Sequence, residues 1–69
     1  MKRKKLIARR KALKMTQTDV AKNTGLDRSY YTMIETGTRT PSASAWQRIF
    51  KALKINESEM GGYLIEPIN

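Results

Sequence analysis

Trp46, Ile49, Phe50 and Leu53 recur at i, i+3, i+4, i+7, the spacing of a single apolar helix face, and Ser42 after Pro41 supplies its opening cap. The same periodicity organises the rest of the chain. Residues 2–14 hold Lys, Arg, Leu and Ala with no Gly or Pro, and Leu6, Arg10 and Leu13 fall on one face, which predicts a first helix. Thr16 with Asp19 three residues on has capping-box spacing, and Gly25 suits a left-handed end, so a second helix is predicted over 17–24. Asp27 then caps a third helix over 28–36, ended by Gly37. Asn56 with Glu59 repeats the cap spacing and starts a short fifth helix at Glu57, which Gly61-Gly62 makes brief or broken before an extended end at Pro67. No strand-period alternation and no internal repeat is read. The predicted fold is all-α, a compact bundle of four to five short helices in one domain over 1–69.

The second and third helices, joined by Gly25-Leu26-Asp27, have the pattern of a helix-turn-helix. Projected at about 100° per residue, the third helix divides cleanly. Tyr30, Tyr31 and Ile34 form an apolar face, while Arg28, Ser29, Thr32, Met33 and Thr36 form a polar one whose residue types can hydrogen-bond base edges or touch a thymine methyl. An ordinary solvent face would carry more Lys and Glu.

Charge sharpens this picture. Lys2, Arg3, Lys4, Lys5, Arg9, Arg10, Lys11 and Lys14 precede any acidic residue, and the rest of the chain is balanced, so the whole net charge of +8 sits on the first predicted element. Such a block attracts polyanions. Lys2 to Lys5 are placed at a flexible end with no fixed geometry. The start has a signal peptide's charge without its hydrophobic region, and no run of about eighteen apolar residues occurs, so a cytoplasmic chain with no membrane role is expected. With no Cys and no His, disulfides, thiolate zinc sites and imidazole chemistry are excluded, and neither a catalytic residue, a metal nor a cofactor is expected. Arg10, between Leu6 and Leu13, lies on an inward face where a carboxylate is its natural partner.

The run from Leu13 to Ser42 resembles the lambda-repressor-like, or XRE-type, helix-turn-helix proteins, which include phage repressors and Cro proteins. Gln17, Ala21, Gly25, Ile34, Glu35, Gly37, Pro41 and Ser42 stand at that family's spacing, and the likeness extends over 6–55. It departs from the family at Tyr31, usually aliphatic, and at Thr36, usually Asn or basic. The resemblance implies that helix 28–36 reads the major groove, and the polar arc of that helix would then put Arg28, Ser29, Thr32 and Met33 at base edges. It implies phosphate binding by Gln17, to which Thr16, Thr36, Thr38, Arg39 and Lys5 are added, and a structural ion pair between Arg10 and Glu35. The expected activity is that of a sequence-specific repressor binding double-stranded operator DNA as a homodimer on an inverted repeat. An antitoxin-like protein-binding module that autoregulates through the same helices is the alternative. Met60, Tyr63, Leu64 and Ile65 either form the dimer interface or fold back on Trp46 and Phe50.

Overall fold

The computed structural model describes residues 2–66, so the extended end expected at Pro67 lies outside them. Five helices follow in order: α1 Lys4–Ala12, α2 Gln17–Thr24, α3 Arg28–Thr36, α4 Ala43–Ala52 and α5 Glu57–Leu64. No strand occurs among the described residues.

Local chemistry explains most boundaries. Thr16 Oγ1 accepts from the Asp19 N–H at 3.0 Å while the Asp19 carboxylate accepts from the Thr16 N–H at 2.8 Å, closing a reciprocal box at the start of α2. Asp27 accepts from the Ser29 and Tyr30 N–H groups to start α3, and Ser42 from that of Ala45 to start α4. Gly25 and Gly37, with φ of 74° and 83°, end α2 and α3 in the left-handed region. The first helix is shorter than residues 2–14 because both ends are taken by other interactions. The Arg3 N–H donates to the carbonyl of Glu35 at 2.8 Å, and Lys14 turns left-handed with φ of 57°.

Contrary to the expectation of no repeat, residues 11–19 and 51–59 are two versions of one corner, Lys-Ala-Leu-Lys followed by an apolar residue, a cap and an acid. The backbone is duplicated with the sequence. Lys14 and Lys54 have φ of 57° and 54°, and the Met15 and Ile55 N–H groups donate back to the Arg10 and Phe50 carbonyls at 3.2 and 2.9 Å. This is a helix ending normally reserved for glycine. The duplication was legible, but short helical segments without a long period do not register as a repeat architecture.

The core is formed by Leu6 from α1, Val20 from α2, Tyr31 and Ile34 from α3, Trp46, Ile49 and Phe50 from α4, Leu53 and Ile55 after it, and Tyr63 from α5. Gly61 and Gly62 do not interrupt α5, which is brief but continuous, because Tyr63 is anchored edge-on to Phe50 at 6.2 Å. The choice left open for the last segment is thereby divided. Tyr63 and half-buried Met60 fold back on the core, whereas Leu64 and Ile65 remain 53% and 81% exposed.

Candidate nucleic-acid interface

The helix-turn-helix is fixed to α1 through one buried carboxylate. Glu35, in the last turn of α3, accepts from Arg10 Nε at 2.6 Å, Arg10 Nη2 at 3.2 Å and Gln17 Nε2 at 3.0 Å. Arg10 Nη1 also donates to the Met15 carbonyl at 2.9 Å, and the Gln17 side-chain oxygen Oε1 accepts from the Thr32 hydroxyl at 3.2 Å. Burial acts to raise the Glu35 pKa, but the hydrogen bonds from Arg10 and Gln17, with the Tyr31 hydroxyl close by, outweigh it and hold the carboxyl below its ordinary value. The bond to Glu35 in turn raises the Arg10 pKa. This bidentate pair joins α1 to α3, and the Gln17 amide ties the start of α2 to the same point.

Tyr31 stands beside the pair. Its hydroxyl is buried without a hydrogen bond of normal geometry, yet burial and the adjacent Glu35 carboxylate push its pKa well above that of a free phenol. Arg10 and Glu35 are therefore occupied in holding helices together, and Glu35 is closed off from any substrate.

The sequence-derived candidates separate into groups. Arg28 and Ser29 are exposed at the start of α3, while Thr32, Met33 and Thr36 on the same side are half-buried. The Thr36 and Thr38 hydroxyls pair with each other at 3.0 Å, and Arg39 follows with its side chain exposed. Thr16 and Gln17 lie at the opening of α2, both already hydrogen-bonded within the protein, although the Gln17 amide nitrogen has a second hydrogen to give. Lys5 does not join either group: its ammonium lies 4.7 Å from the ring centroid of Tyr63 in α5, and its N–H donates to Glu66.

The basic block itself needs correction. Arg3 is not at a free end but is buried, with Nε donating to the Ile34 carbonyl at 3.0 Å. Arg9 donates to the carbonyls of Leu53 and Lys54 at 2.9 and 2.8 Å, where α4 ends. With Arg10 on Glu35, all three arginines of this block serve the fold, while Lys2, Lys4, Lys11 and Lys14 remain exposed. Planar guanidinium groups suit fixed carbonyls and carboxylates, whereas lysine ammonium groups hydrate readily. The missed signal was spacing. Arg3 stands three residues before Leu6 and seven before Arg10, on the same inward stripe.

Among the described residues no cluster of side chains could hold a metal ion, and no helix is long and apolar enough to cross a membrane. Comparison with curated proteins and with solved structures returned no match. The family model for the helix-turn-helix, HTH_3, matches residues 6–60 and so takes in α2, α3, the Arg10–Glu35 pair and the corner before α5. The exposed start of a packed α3 and the match over most of the chain agree, and the protein belongs to the XRE-type, Cro-like helix-turn-helix family of DNA-binding proteins.

Proposed function

We propose that the protein is a sequence-specific transcriptional repressor of phage or bacterial type, acting in the cytoplasm on a double-stranded operator. The observation that carries the reading is the division of α3: Tyr31 and Ile34 are fully buried and Glu35 is locked to α1, while Arg28 and Ser29 are exposed at its opening turn. In this reading Arg28 and Ser29 reach base edges, with Thr32 and Met33 beside them. Gln17, Thr16, Thr36, Thr38 and Arg39 meet phosphates on either side, and Lys5 contributes only if its ammonium leaves the Tyr63 ring. Exposed lysines of α1 add attraction that does not depend on sequence.

The repressor is proposed to act as a homodimer, with exposed Leu64 and Ile65 offering apolar area to a second copy. Two recognition helices on one side of a duplex require half-sites about one helical turn, ~34 Å, apart, and hence an inverted repeat. Selection of bound sequences from a random DNA pool tests both points. Enrichment of two inverted half-sites is the expected outcome, a single half-site would remove the dimer, and no enriched motif would favour the protein-binding alternative.

A further inference from the structure

Arg3 touches three parts of the chain at once. Its N–H donates to the Glu35 carbonyl at 2.8 Å, its Nε to the Ile34 carbonyl at 3.0 Å and its Nη2 to the Arg39 carbonyl at 3.4 Å. Its guanidinium also lies 5.5 Å from the ring centroid of Trp46, and the residue is only 4% exposed. Two of those carbonyls belong to the end of α3, where helical partners run out and the helix dipole favours a cation. The third belongs to the loop that carries Thr38 and Arg39. A guanidinium can serve carbonyls in separate directions from one rigid plane, which a lysine ammonium at the end of a flexible stem does not reproduce.

We propose that Arg3 is a positioning residue for the phosphate-binding side chain of Arg39: by holding the Arg39 carbonyl against the end of α3, it fixes the backbone from which that side chain projects. The proposal rests on the DNA-binding role assigned above. Arg3 itself gives no charge to the DNA, since its guanidinium is enclosed by α3, the loop and Trp46. Its effect on affinity passes through Arg39.

Arg3→Lys is the informative substitution because it retains the charge and removes the fork. Amide hydrogen exchange of residues 37–40 is measured on the DNA-free protein, with fluorescence of Trp46, the single tryptophan, as a second signature. Affinity for the selected operator is then measured across a salt series for Arg3→Lys, Arg3→Met, Arg39→Ala and the double variant Arg3→Lys/Arg39→Ala. The expected result is faster exchange in the loop, a changed Trp46 emission and a loss of affinity on the order of tenfold in both Arg3 variants. The log–log salt slope should become shallower by about 0.9, as for Arg39→Ala, and the double variant should bind no more weakly than Arg39→Ala alone.

Native loop exchange in Arg3→Lys would overturn the proposal, as would wild-type affinity in Arg3→Lys with loss only in Arg3→Met, the behaviour of a direct phosphate ligand. Additive losses in the double variant would also overturn it. Variants that failed to fold at low temperature would make Arg3 a determinant of the fold instead of the loop. Wild-type protein that bound no DNA would remove the functional reading and the phosphate role with it, while loop exchange in Arg3→Lys would still report whether Arg3 holds the loop.

Discussion

Glu35 joins three helices through one side chain, so its substitution should be felt in stability before specificity. Glu35→Gln leaves Arg10 charged in a site where the side chains of Arg10 and Glu35 are only 12% and 2% exposed, at a cost of about 3 kcal/mol. Arg10→Met in the same chain should restore part of the melting temperature. An unchanged melting temperature in the single variant would mean that the pair contributes nothing to folding. The depressed Glu35 pKa has a defined pH consequence. Its contribution is fully present above the ordinary carboxyl value of 4.5 and is lost as pH falls through the folded value, so Glu35→Gln should flatten the acid limb of a stability–pH curve. Tyr31 acts at the other end. Its folded pKa is raised above 10.0, so stability present below that pH declines as pH rises, because the unfolded phenol ionises first. Tyr31→Phe should remove this alkaline limb and cost little at neutral pH, since the hydroxyl has no well-formed hydrogen bond to lose. A large neutral-pH loss would show that the hydroxyl donates to Glu35 in solution.

Among the elements, α5 shows how neighbours decide the effect of a glycine. Both Gly61 and Gly62 lie in a helix interior, where glycine costs roughly 0.5–1 kcal/mol relative to alanine. A Cβ at position 61 meets nothing, whereas one at 62 would displace the Lys5 ammonium from the Tyr63 ring. Gly61→Ala should therefore raise the melting temperature, and Gly62→Ala should raise it less or not at all. Equal gains would show that Lys5 spends little time on Tyr63. The duplicated corner offers a matching test. Lys54 holds a left-handed conformation with φ of 54°, which costs a non-glycine residue roughly 1–2 kcal/mol, so Lys54→Gly should stabilise by up to that amount when measured by denaturant unfolding. The carbonyl that accepts from Arg9 belongs to the backbone and survives the change.

At the scale of the whole molecule, the proposed division between reading by α3 and attraction by the lysines of α1 can be tested directly. Arg28→Ala should lose on the order of 1–3 kcal/mol on a matched operator and relax preference at one base position. Replacing Lys2, Lys4, Lys11 and Lys14 by Gln should weaken matched and mismatched DNA by similar factors, with a salt slope shallower by about 0.9 for each lysine–phosphate pairing removed. Titrations of both proteins on the two DNAs across a salt series separate these effects. If Arg28→Ala lost affinity equally on both and the lysine variant changed base preference, α3 would not be the reader. The arginines are omitted from the neutralised set for a structural reason. Arg3, Arg9 and Arg10 bond to protein carbonyls or to Glu35, so removing them would test the fold.

Periodicity and cap chemistry, both confined to a few adjacent residues, determined a great deal from the sequence alone: four helix starts from Thr16, Asp27, Ser42 and Asn56, a left-handed end at Gly25, a helix stop at Gly37, and the inward stripe of α4. These are local interactions, and their partners lie within one helical turn. The tertiary structure decided what depends on distant partners. Arg3 and Glu66 reach across the chain to close the ends of α3 and α1, and Tyr63 keeps α5 continuous through its glycines by packing on Phe50. It also separated a uniform block of positive charge into arginines tied to the fold and lysines left to solvent. Composition counts charges equally, but only the folded chain supplies the fixed carbonyls and the carboxylate that make burying a guanidinium favourable.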